Sequence, residues 1–595
     1  MARTTQPKGP VGGSRSTRGR VHLRLRIGFV VIAMVLSVFG ARLVQLQGFD
    51  PNSYAAAAAA ENEVDVTLPA ERGEITDRNG QPLADSADGL AVIADPTLTE
   101  QHAAALATLL TRRLDLDYAT VLAALRKKDT RFSYVARQVP AAKANAALQA
   151  AENKGFDGLT TERDPIREYP GGDVAANVVG FMGTDGPLAG LEMSFNSELA
   201  GVDGHATYEY DSGSGGARIP LGKSTRKDPV NGTDITLTID QELQWYVQRT
   251  LMKAVQSSGA ESASAVVMDT KTGEILSLAD YPTYDANDPG ASARKYRGAP
   301  SVSDPYEPGS VQKVLTLSAL IDAGKVSDKT RLTVPGSYQS GDSAIHDWWS
   351  HGDIRLTLAG VIAQSSNIGT VLASNKFKQG QLRKYLVKFG LGQKTNIGLD
   401  GESAGLLTSK ADWTAADEDR IDFGQSVAVN VVQEAAAINA VANGGVRVDP
   451  SLVIGKATTD SGQTVGTDTT TRRRVVSKKA AHQMELMMQR VVDPVAGTAP
   501  GAAVKGYLVA GKTGTAQRVN TDCGCYDGTF DVSFAGFAPA DNPRFTVYVV
   551  VHNPRNGGGG GSVAGPVFSK VMGFALRRYG VEPTNTAAST LPTTW

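Results

Sequence analysis

The chain has 595 residues, which is too many for a single hydrophobic core, so we expect two or three domains with connecting segments. Its apolar content of 41% and charged content of 20% are ordinary for a globular protein. The net charge of −1 conceals an uneven distribution, because the first 26 residues carry seven Arg or Lys and no acid.

This basic segment directly precedes the apolar run Ile27–Ala41. A basic segment could bind nucleic acid, but beside an apolar run it is better explained by the positive-inside rule, and we expect no nucleic-acid partner. Residues 1–26 are rich in Gly, Ser, Thr and Pro, and we interpret them as a disordered cytoplasmic tail.

The apolar run predicts a membrane anchor. Its 15 residues would span about 22 Å as a helix, which is short of the ~30 Å hydrocarbon core, but extension to Gln47 gives sufficient length. Because no clear cleavage site follows, we favour an uncleaved anchor at residues 27–47 over a processed signal peptide. The chain is therefore predicted to be a single-pass cell-membrane protein, with its N-terminus in the cytoplasm and its bulk outside.

Residues 48–235 are predicted to form a mixed, extended module with little apolar content of its own. Ala55–Val64 is typical of a helix that continues outward from the membrane. An Asn79-Gly80 turn between alternating polar and apolar residues predicts a hairpin. Residues 100–152 are rich in Ala and Leu at helical spacing, and the remainder is polar and Gly-rich.

Residues 236–580 are predicted to form one α/β domain. A short strand leads through Asp240, a candidate N-cap, into a helix. Ser264–Pro282 and Phe530–Pro554 each predict a pair of strands. Strands at both ends of the segment, with helices between them, indicate a sheet built from both ends. Residues 581–595 are predicted to be a flexible tail.

A serine and a lysine lie three residues apart in YEPGSVQK, Tyr306 to Lys313. The apolar spacing that follows predicts a helix, so Ser310 would start it and Lys313 would lie one turn on, on the same face. A serine hydroxyl needs a base within hydrogen-bond reach, and a lysine can serve only when its amine is neutral. Burial, a helix N-terminus and a second cation each lower the pKa of a lysine.

Two further motifs could assist such a serine. Ser365-Ser366-Asn367 predicts a loop hydroxyl that relays a proton to a leaving amine and an amide that holds a substrate carbonyl. Lys512-Thr513-Gly514-Thr515, on a predicted edge strand, offers a cation and two hydroxyls to a carboxylate, and its glycine would let a substrate backbone approach closely. Standing alone, Ser365-Ser366-Asn367 would be an ordinary helix cap, and Lys512-Thr513-Gly514 would be a turn. Lys271-Thr272-Gly273 is another copy of the Lys-Thr-Gly tripeptide, and we assign it to a hairpin.

Two other clusters leave alternatives open. The chain has two cysteines, Cys523 and Cys525, too few for a structural zinc site. In an exported chain they could form a small-loop disulfide, and two free thiols are equally compatible with the sequence. Ala344–Thr357 contains two His and two Trp, for which we favour a structural or cleft-wall role over metal binding.

The order and spacing of the three motifs are specific. The second motif starts 55 residues after the first, and the third starts 145 residues after the end of the second. In this the chain resembles the penicilloyl serine transferases, that is, the penicillin-binding proteins and the serine β-lactamases. RGEITDRNGQPLA (Arg72–Ala84) and GLEMSFNSELAGVDG (Gly190–Gly204) are similar to segments of class B high-molecular-weight penicillin-binding proteins.

The resemblance implies an α/β (α+β) penicillin-binding transpeptidase fold, in which helices flank an antiparallel sheet. This domain, residues 236–580, would stand on an elongated mixed dimerisation or pedestal domain, residues 48–235, with one N-terminal transmembrane helix. The implied activity is that of a peptidoglycan D,D-transpeptidase that is acylated by β-lactams and needs no metal or organic cofactor.

The resemblance also implies a role for each motif residue. Ser310 would attack the D-Ala-D-Ala bond of a stem peptide, Lys313 would act as base, and Ser365 would pass the proton to the leaving D-alanine. Asn367 would orient the donor amide. The terminal carboxylate would be held by Lys512, Thr513 and Thr515. The oxyanion would lie between the backbone N–H groups of Ser310 and Thr515.

YEPGS and DFGQSVAVN look most like division-type enzymes of actinobacteria, with an elongation-type enzyme as the alternative. The second stretch has Ser426 where a glycine is common. The implied partners are stem peptides and their lipid-linked precursor, the membrane, a polytopic glycan polymerase and other division proteins.

Three rivals are disfavoured. A serine β-lactamase would need a residue that activates the deacylating water, and no Glu-x-x-Leu-Asn lies between Asn367 and Lys512. A non-enzymatic β-lactam receptor would couple the domain to several membrane spans. A division scaffold with a vestigial site would not need three intact motifs.

Overall fold

The computed structural model describes residues 18–45, 63–209, 224–409, 413–520 and 523–595. The chain divides into two compact units, residues 1–69 with 203–229, and residues 70–202 with 230–595. The predicted boundary at residue 235 does not coincide with a division between these units. The assignment of residues 48–235 and 236–580 to separate domains therefore stays a prediction.

The described strands are β1 Glu63–Leu68, β2 Ile75–Thr76, β3 Pro82–Ala87, β4 Gly89–Ala94, β5 Ser133–Pro140, β6 Leu159–Arg163, β7 Ile166–Glu168, β8 Phe181–Met182, β9 Pro187–Ala189, β10 Gly204–Glu209, β11 Ser224–Lys227, β12 Ile235–Thr236, β13 Ser262–Asp269, β14 Ile275–Tyr281, β15 Arg331–Val334, β16 Tyr338–Ser340, β17 Ser343–Ile345, β18 Ile354–Thr357, β19 Val446–Val448, β20 Ala457–Thr458, β21 Thr464–Val465, β22 Arg472–Arg474, β23 Ala510–Asn520, β24 Cys525–Ala538 and β25 Phe545–His552.

The described α-helices are α1 Arg18–Val44, α2 Pro96–Thr99, α3 Ala103–Leu114, α4 Tyr118–Leu125, α5 Ala141–Glu152, α6 Ala176–Val179, α7 Gly190–Ser194, α8 Asn196–Ala200, α9 Gln241–Ser258, α10 Pro300–Ser303, α11 Gln312–Asp322, α12 Leu358–Gln364, α13 Asn367–Ser374, α14 Gln381–Phe389, α15 Ala415–Ile421, α16 Val431–Ala442, α17 Lys478–Gln489 and α18 Gly560–Arg578.

The first unit contains α1 and the three-stranded sheet β1-β10-β11. Within α1, His22–Val44 is long and apolar enough to cross a membrane, and it overlaps the predicted anchor. Because α1 begins at Arg18, the prediction of disorder through residue 26 is wrong for residues 18–26, whose Arg and Leu residues favour a helix. The predicted helix Ala55–Val64 lies mostly outside the described residues, and its last two residues belong to β1.

In the second unit, residues 70–202 form more than an extended module. The Asn79-Gly80 hairpin is confirmed, since β2 and β3 pair antiparallel. The sheet β5-β4-β6 packs with α3, α4 and α5 around a separate buried cluster that includes Val92, Leu106 and Ala147. The expectation of little apolar content is therefore wrong here, because alanines on facing helices bury a core without long apolar runs.

The central sheet is antiparallel, with strand order β14-β13-β25-β24-β23, and thus comes from both ends of the predicted α/β segment. β25 is almost continuously apolar because it is buried on both faces. α9 and α18 pack together on the sheet, and α11, α16 and α17 form a second group of helices against it. Asp240 caps α9 as predicted, accepting a hydrogen bond from Leu243 N.

Residues 581–595 are not a free tail, so that prediction is wrong. Thr584 N donates to Gly506 O, Ser589 is buried, and Thr594 forms an antiparallel bridge with Leu356. These contacts are made largely by backbone groups, which a polar sequence provides as well as an apolar one.

Glu434 on α16 is the least satisfied carboxyl in the domain core. It is fully buried, and neither of its oxygens has a hydrogen-bond partner among the described residues. Burial raises the pKa of Glu434 from 4.5 to about 8. Since the folded state then holds this proton more tightly than the unfolded state, the contribution of Glu434 to stability falls as pH rises from about 4.5 to about 8.

We expect Glu434→Met to raise the free energy of unfolding by about 1–3 kcal/mol at pH 5, where an unpaired polar group is removed, and by more at pH 8. Denaturant unfolding at both pH values measures the difference. Glu434→Gln is the matched control. It keeps a buried polar group but cannot ionise, so it should remove only the pH-dependent part of the destabilisation. An equal gain for Glu434→Met at both pH values would contradict the assignment.

Candidate active site

The first motif lies at the start of a buried helix. A single 3-10 turn, Gly309–Val311, leads into α11, so Ser310 lies in the turn and Lys313 in the first turn of the helix. Gly309 has a φ of 55°, and a Cβ on it would lie 3.0 Å from the Thr515 carbonyl oxygen. This close approach brings the turn that carries Ser310 against β23.

Lys313 is fully buried and faces the second motif. Its Nζ donates to the carbonyl oxygen of Ser365 at 2.7 Å and to Asn367 Oδ1 at 2.7 Å, and it lies 3.3 Å from Ser365 Oγ. Burial lowers the pKa of Lys313 to about 7, against the opposing charge of Asp347. In the part of the chain that the structure describes, no group hydrogen-bonds the Ser310 hydroxyl; such bonds often tighten only in the substrate complex.

The second motif occupies the joint between two short helices. α12 ends at Gln364, Ser365 takes a left-handed conformation with φ of 61°, and Ser366 caps α13 by accepting from Gly369 N. The turn aims the Ser365 hydroxyl between two lysines, because Lys512 Nζ donates to the same Oγ at 2.8 Å. Ser365 is therefore placed to exchange protons with either amine.

The third motif lies on β23, at the edge of the central sheet as predicted. Lys512 is fully buried and also donates to Thr513 O at 2.9 Å, whereas Thr515 is exposed to the cleft. Burial, and then the charge of Lys313, lower the pKa of Lys512 well below its ordinary value. Because the two lysines repel each other, we expect the pair to carry fewer than two charges at neutral pH.

Gly514 is required by packing within the protein. A Cβ at this position would lie 2.2 Å from Ser533 Oγ on β24 and 3.0 Å from Pro308 O. The space that a side chain at Gly514 would take is thus filled by the protein itself, which packs β23 closely against the turn that carries Ser310. The close approach of a substrate backbone to Gly514 stays a prediction.

The three motifs meet in one cleft of about 860 Å³. Five of the predicted site residues line it, namely Ser310, Ser365, Asn367, Thr513 and Thr515. Lys313 and Lys512 lie behind this surface and reach it through the Ser365 hydroxyl. A serine in a cleft beside two buried lysines of lowered pKa is suited to acyl transfer.

Sequence reasoning missed Asp347, which organises the second motif. Its buried carboxylate accepts from Ser366 Oγ at 2.7 Å, from Asn367 N at 2.6 Å and from Ile368 N at 3.1 Å. His351 Nε2 lies 3.1 Å from the same carboxylate, so this His has a structural role, and the neighbouring Trp348 lines the cleft, as predicted for the stretch.

The cleft has other walls that no motif identified. The hydroxyl oxygens of Thr498 and Thr513 are 3.3 Å apart. The glycine-rich residues 557–561 form part of the rim. A Cβ on Gly560 would lie 2.5 Å from Gly514 O, so the repeated glycines allow this rim to pack directly on β23. The run of glycines in the sequence was the available signal.

Ser426, at the position where a glycine is common, adopts a left-handed φ of 57°. Its backbone N–H donates to Glu307 Oε1 at 2.8 Å, which holds the unfavourable conformation. Tyr526 Oη donates to the same carboxylate. Nearby, Cys523 and Cys525 form a disulfide, which decides between the two alternatives left open by the sequence.

Two protein-family models match this chain. The family model "Penicillin binding protein transpeptidase domain" matches residues 263–573, and "Penicillin-binding Protein dimerisation domain" matches residues 67–187. Over 599 residues the sequence is 38% identical to "Penicillin-binding protein PbpB" of Mycolicibacterium smegmatis, covering 94% of this chain and 90% of that protein.

The sequence is also 33% identical to "Peptidoglycan D,D-transpeptidase FtsI" of Escherichia coli, covering 86% of this chain and 84% of that protein. Among solved structures, penicillin binding protein 3 of Mycobacterium tuberculosis, in complex with aztreonam, matches with a TM-score of 0.68 and 34% identity. The match covers 89% of this chain and 100% of that one.

Proposed function

The chain belongs to the penicillin-binding proteins, as a class B member of the division type, and we propose that Ser310 is the nucleophile of its transpeptidase reaction. It is a peptidoglycan D,D-transpeptidase that cross-links stem peptides through a serine acyl-enzyme in septal cell-wall synthesis and is acylated by β-lactams. The residue roles that the family resemblance implies are part of our proposal, and the geometry supports them.

Acylation begins with attack of Ser310 Oγ on the carbonyl carbon of the D-Ala-D-Ala bond. The neutral amine of Lys313 accepts the hydroxyl proton, because only an uncharged lysine can act as a base. The C–N bond then breaks, and the leaving D-alanine nitrogen takes a proton from the Ser365 hydroxyl, which is replenished from a lysine. The position of Ser365 Oγ, 3.3 Å from Lys313 Nζ and 2.8 Å from Lys512 Nζ, supports this relay.

The donor is held at its carboxylate end by the third motif. The hydroxyls of Thr513 and Thr515 line the cleft, and Lys512 lies behind them with a lowered pKa. An arriving carboxylate favours the protonated form of Lys512, so binding would restore a cation where it is needed. Asn367 already accepts from Lys313 and donates to His346 O at 2.8 Å, which supports a role in fixing the base while it orients the donor amide.

The tetrahedral intermediate places negative charge on the former carbonyl oxygen. The backbone N–H groups of Ser310 and Thr515 are our candidates for the oxyanion hole. The close approach of Gly309 to Thr515 supports this pairing, because it puts the two segments on one wall. The amine of an acceptor stem then attacks the ester carbonyl and the C–O bond to Ser310 breaks. The proton that the amine loses would return to Ser310 Oγ through Lys313.

One observation carries the proposal. Lys313 and Lys512 are both fully buried, and both contact the hydroxyl of Ser365 beside the cleft that Ser310 lines. Two lysines withdrawn from water are costly, and a core needing only packing would not retain them. Perturbed titratable groups in a cleft are typical of active sites.

We also propose the remaining organisation. α1 would cross the cell membrane with its basic end in the cytoplasm, by the positive-inside rule. Residues 48–235 would serve as the pedestal domain and residues 236–580 as the transpeptidase domain. A polytopic glycan polymerase and other division proteins are the proposed partners, and the lipid-linked precursor is the proposed source of donor stems.

The test uses the full chain in detergent. Incubation with penicillin should give a stable mass increase of one penicilloyl group, and incubation with glycan strands bearing pentapeptide stems should release D-alanine and form cross-linked stems. An adduct that is lost rapidly as penicilloic acid, without cross-linking, would instead indicate a β-lactamase. No adduct and no D-alanine release would refute the proposed function.

A further inference from the structure

Residues 589–595 form a strap that runs from the end of α17 to the start of α12. We propose that this strap is a positioning element of the transpeptidase reaction, which holds α12 so that Ser365 stays between Lys313 and Lys512. The proposal rests on the proposed function and deepens it, because it names residues outside the three motifs on which proton transfer depends.

The chain between α18 and the strap is fixed near the start of β23. Tyr507 Oη donates to Val581 O at 2.6 Å, and Leu508 N donates to Thr584 Oγ1 at 3.0 Å. The strand that carries Lys512 begins two residues after Leu508, at Ala510. The chain leaving α18 is therefore tied to the segment that leads into the strand of the third motif.

The strap next crosses the end of α17. Ser589 N donates to Gln489 Oε1 at 2.8 Å, and Arg490 Nη1 donates to Ser589 O at 3.1 Å. Ser589 is only 8% exposed. A small polar residue held on both its backbone groups marks a specific crossing point rather than loose surface contact.

The far end of the strap covers the start of α12. Thr357 N donates to Thr593 O at 3.1 Å, and the Thr357 hydroxyl donates to Pro592 O. The same hydroxyl caps α12 by accepting from Gly360 N at 3.1 Å. A Cβ on Gly360 would lie 1.8 Å from Thr593 O, so only glycine admits the strap at this position.

Trp595 completes the contact. Its Nε1 donates to Leu332 O at 3.3 Å, and its ring lies 5.3 Å from the Arg331 guanidinium and 5.1 Å from that of Arg355. Thr594 pairs with Leu356, so the strap adds to the edge of β18, next to β15. The attraction between the guanidinium groups and the indole ring holds the end of the strap against β15 and β18.

The mechanical consequence follows from the length of α12. The helix has seven residues, about 10 Å, between its cap Thr357 and Ser365. A displacement of its first turn is therefore transmitted to the Ser365 hydroxyl two turns away. Since a misplacement of about 1 Å can cost about 10²-fold in rate, release of the strap should impair catalysis while the fold persists.

The experiment compares three variants of the full chain. Deletion of residues 589–595 removes the strap, Gly360→Ala expels it while keeping every strap residue, and Trp595→Ala weakens its end. Thr586→Ala is the matched control, since Thr586 lies outside the strap and its hydroxyl donates to Asp541 at 2.8 Å. Stopped-flow acylation by penicillin separates the binding constant from the first-order acylation constant, and circular dichroism checks folding.

We expect the acylation constant to fall about 10- to 100-fold in the folded strap variants, with little change in the binding constant and none in the control. If the deletion does not fold, the two substitutions carry the test. An unchanged acylation constant in folded Gly360→Ala and Trp595→Ala would overturn the proposal. Wild-type acylation is measured in parallel, so its absence would refute the proposed function rather than the strap.

Discussion

Replacing Ser310 by Ala is expected to abolish acylation by penicillin, with a loss of about 10⁶-fold, the order that removal of a serine nucleophile costs. Ser310 lines the cleft from the turn Gly309–Val311, whereas the hydroxyl of Ser365 is already bound between two lysines. The variant should still bind penicillin non-covalently, because Thr513 and Thr515 remain. Fluorescent-penicillin labelling, followed by mass spectrometry of the digested adduct, measures the loss.

The matched control is Ser303→Ala, seven residues earlier in α10, whose hydroxyl donates to Asp304 outside the cleft lining. It should be labelled at the wild-type rate, and both variants should unfold near the wild-type midpoint. Persistent labelling of Ser310→Ala, or an adduct that maps to Ser365, would show that another residue is the nucleophile. Every role assigned above would then have to be revised.

The sequence alone was sufficient to predict the motif residues because each motif depends on local backbone structure. Pro308-Gly309 followed by an apolar helical pattern predicts a buried helix that carries Lys313, and the strand predicted for Lys512 is β23. The meeting of these elements in one cleft did not follow from local pattern. It was implied by the family resemblance and required the fold to be seen.

Residues that act only through tertiary contacts were missed for the same reason. Asp347 lies 19 residues before Ser366, and a lone aspartate between His and Trp carries no periodic signal. The prediction of a flexible tail at residues 581–595 is wrong for the same reason. Their contacts are mostly backbone carbonyls and amides, and no sequence pattern reports where those will find partners.

The protonation of Lys313 in the first motif is coupled to that of Lys512 in the third. Each contacts Ser365 Oγ, both are fully buried, and the charge of Lys313 lowers the pKa of Lys512. The carboxylate of Asp347 acts in the opposite direction on Lys313. One proton is therefore easily moved among Lys313, Ser365 and Lys512, which suits a site that must first accept a proton and then return it to a leaving amine.

Acylation by the wild-type chain is accordingly expected to rise as pH increases through about 7 and to level off above it. The sign follows from the lowered pKa of Lys313, whose amine is protonated and inactive below about 7 and neutral above it. Lys313→Met removes the base, and Lys313→Arg replaces it by a group that stays charged. Both should lower the acylation constant by about 10²- to 10⁴-fold, the range of general-base catalysis.

The pH profile separates a base from a merely structural cation. If Lys313 only supported the fold or the position of Ser365, Lys313→Arg would retain part of the rate and the rise near pH 7 would survive in it. If Lys313 is the base, residual acylation in Lys313→Met should no longer rise near pH 7. The pKa of Lys512 should rise in that variant, because the neighbouring charge is gone. Lys325→Met, an exposed position just after α11, is the matched control and should keep both the rate and the profile.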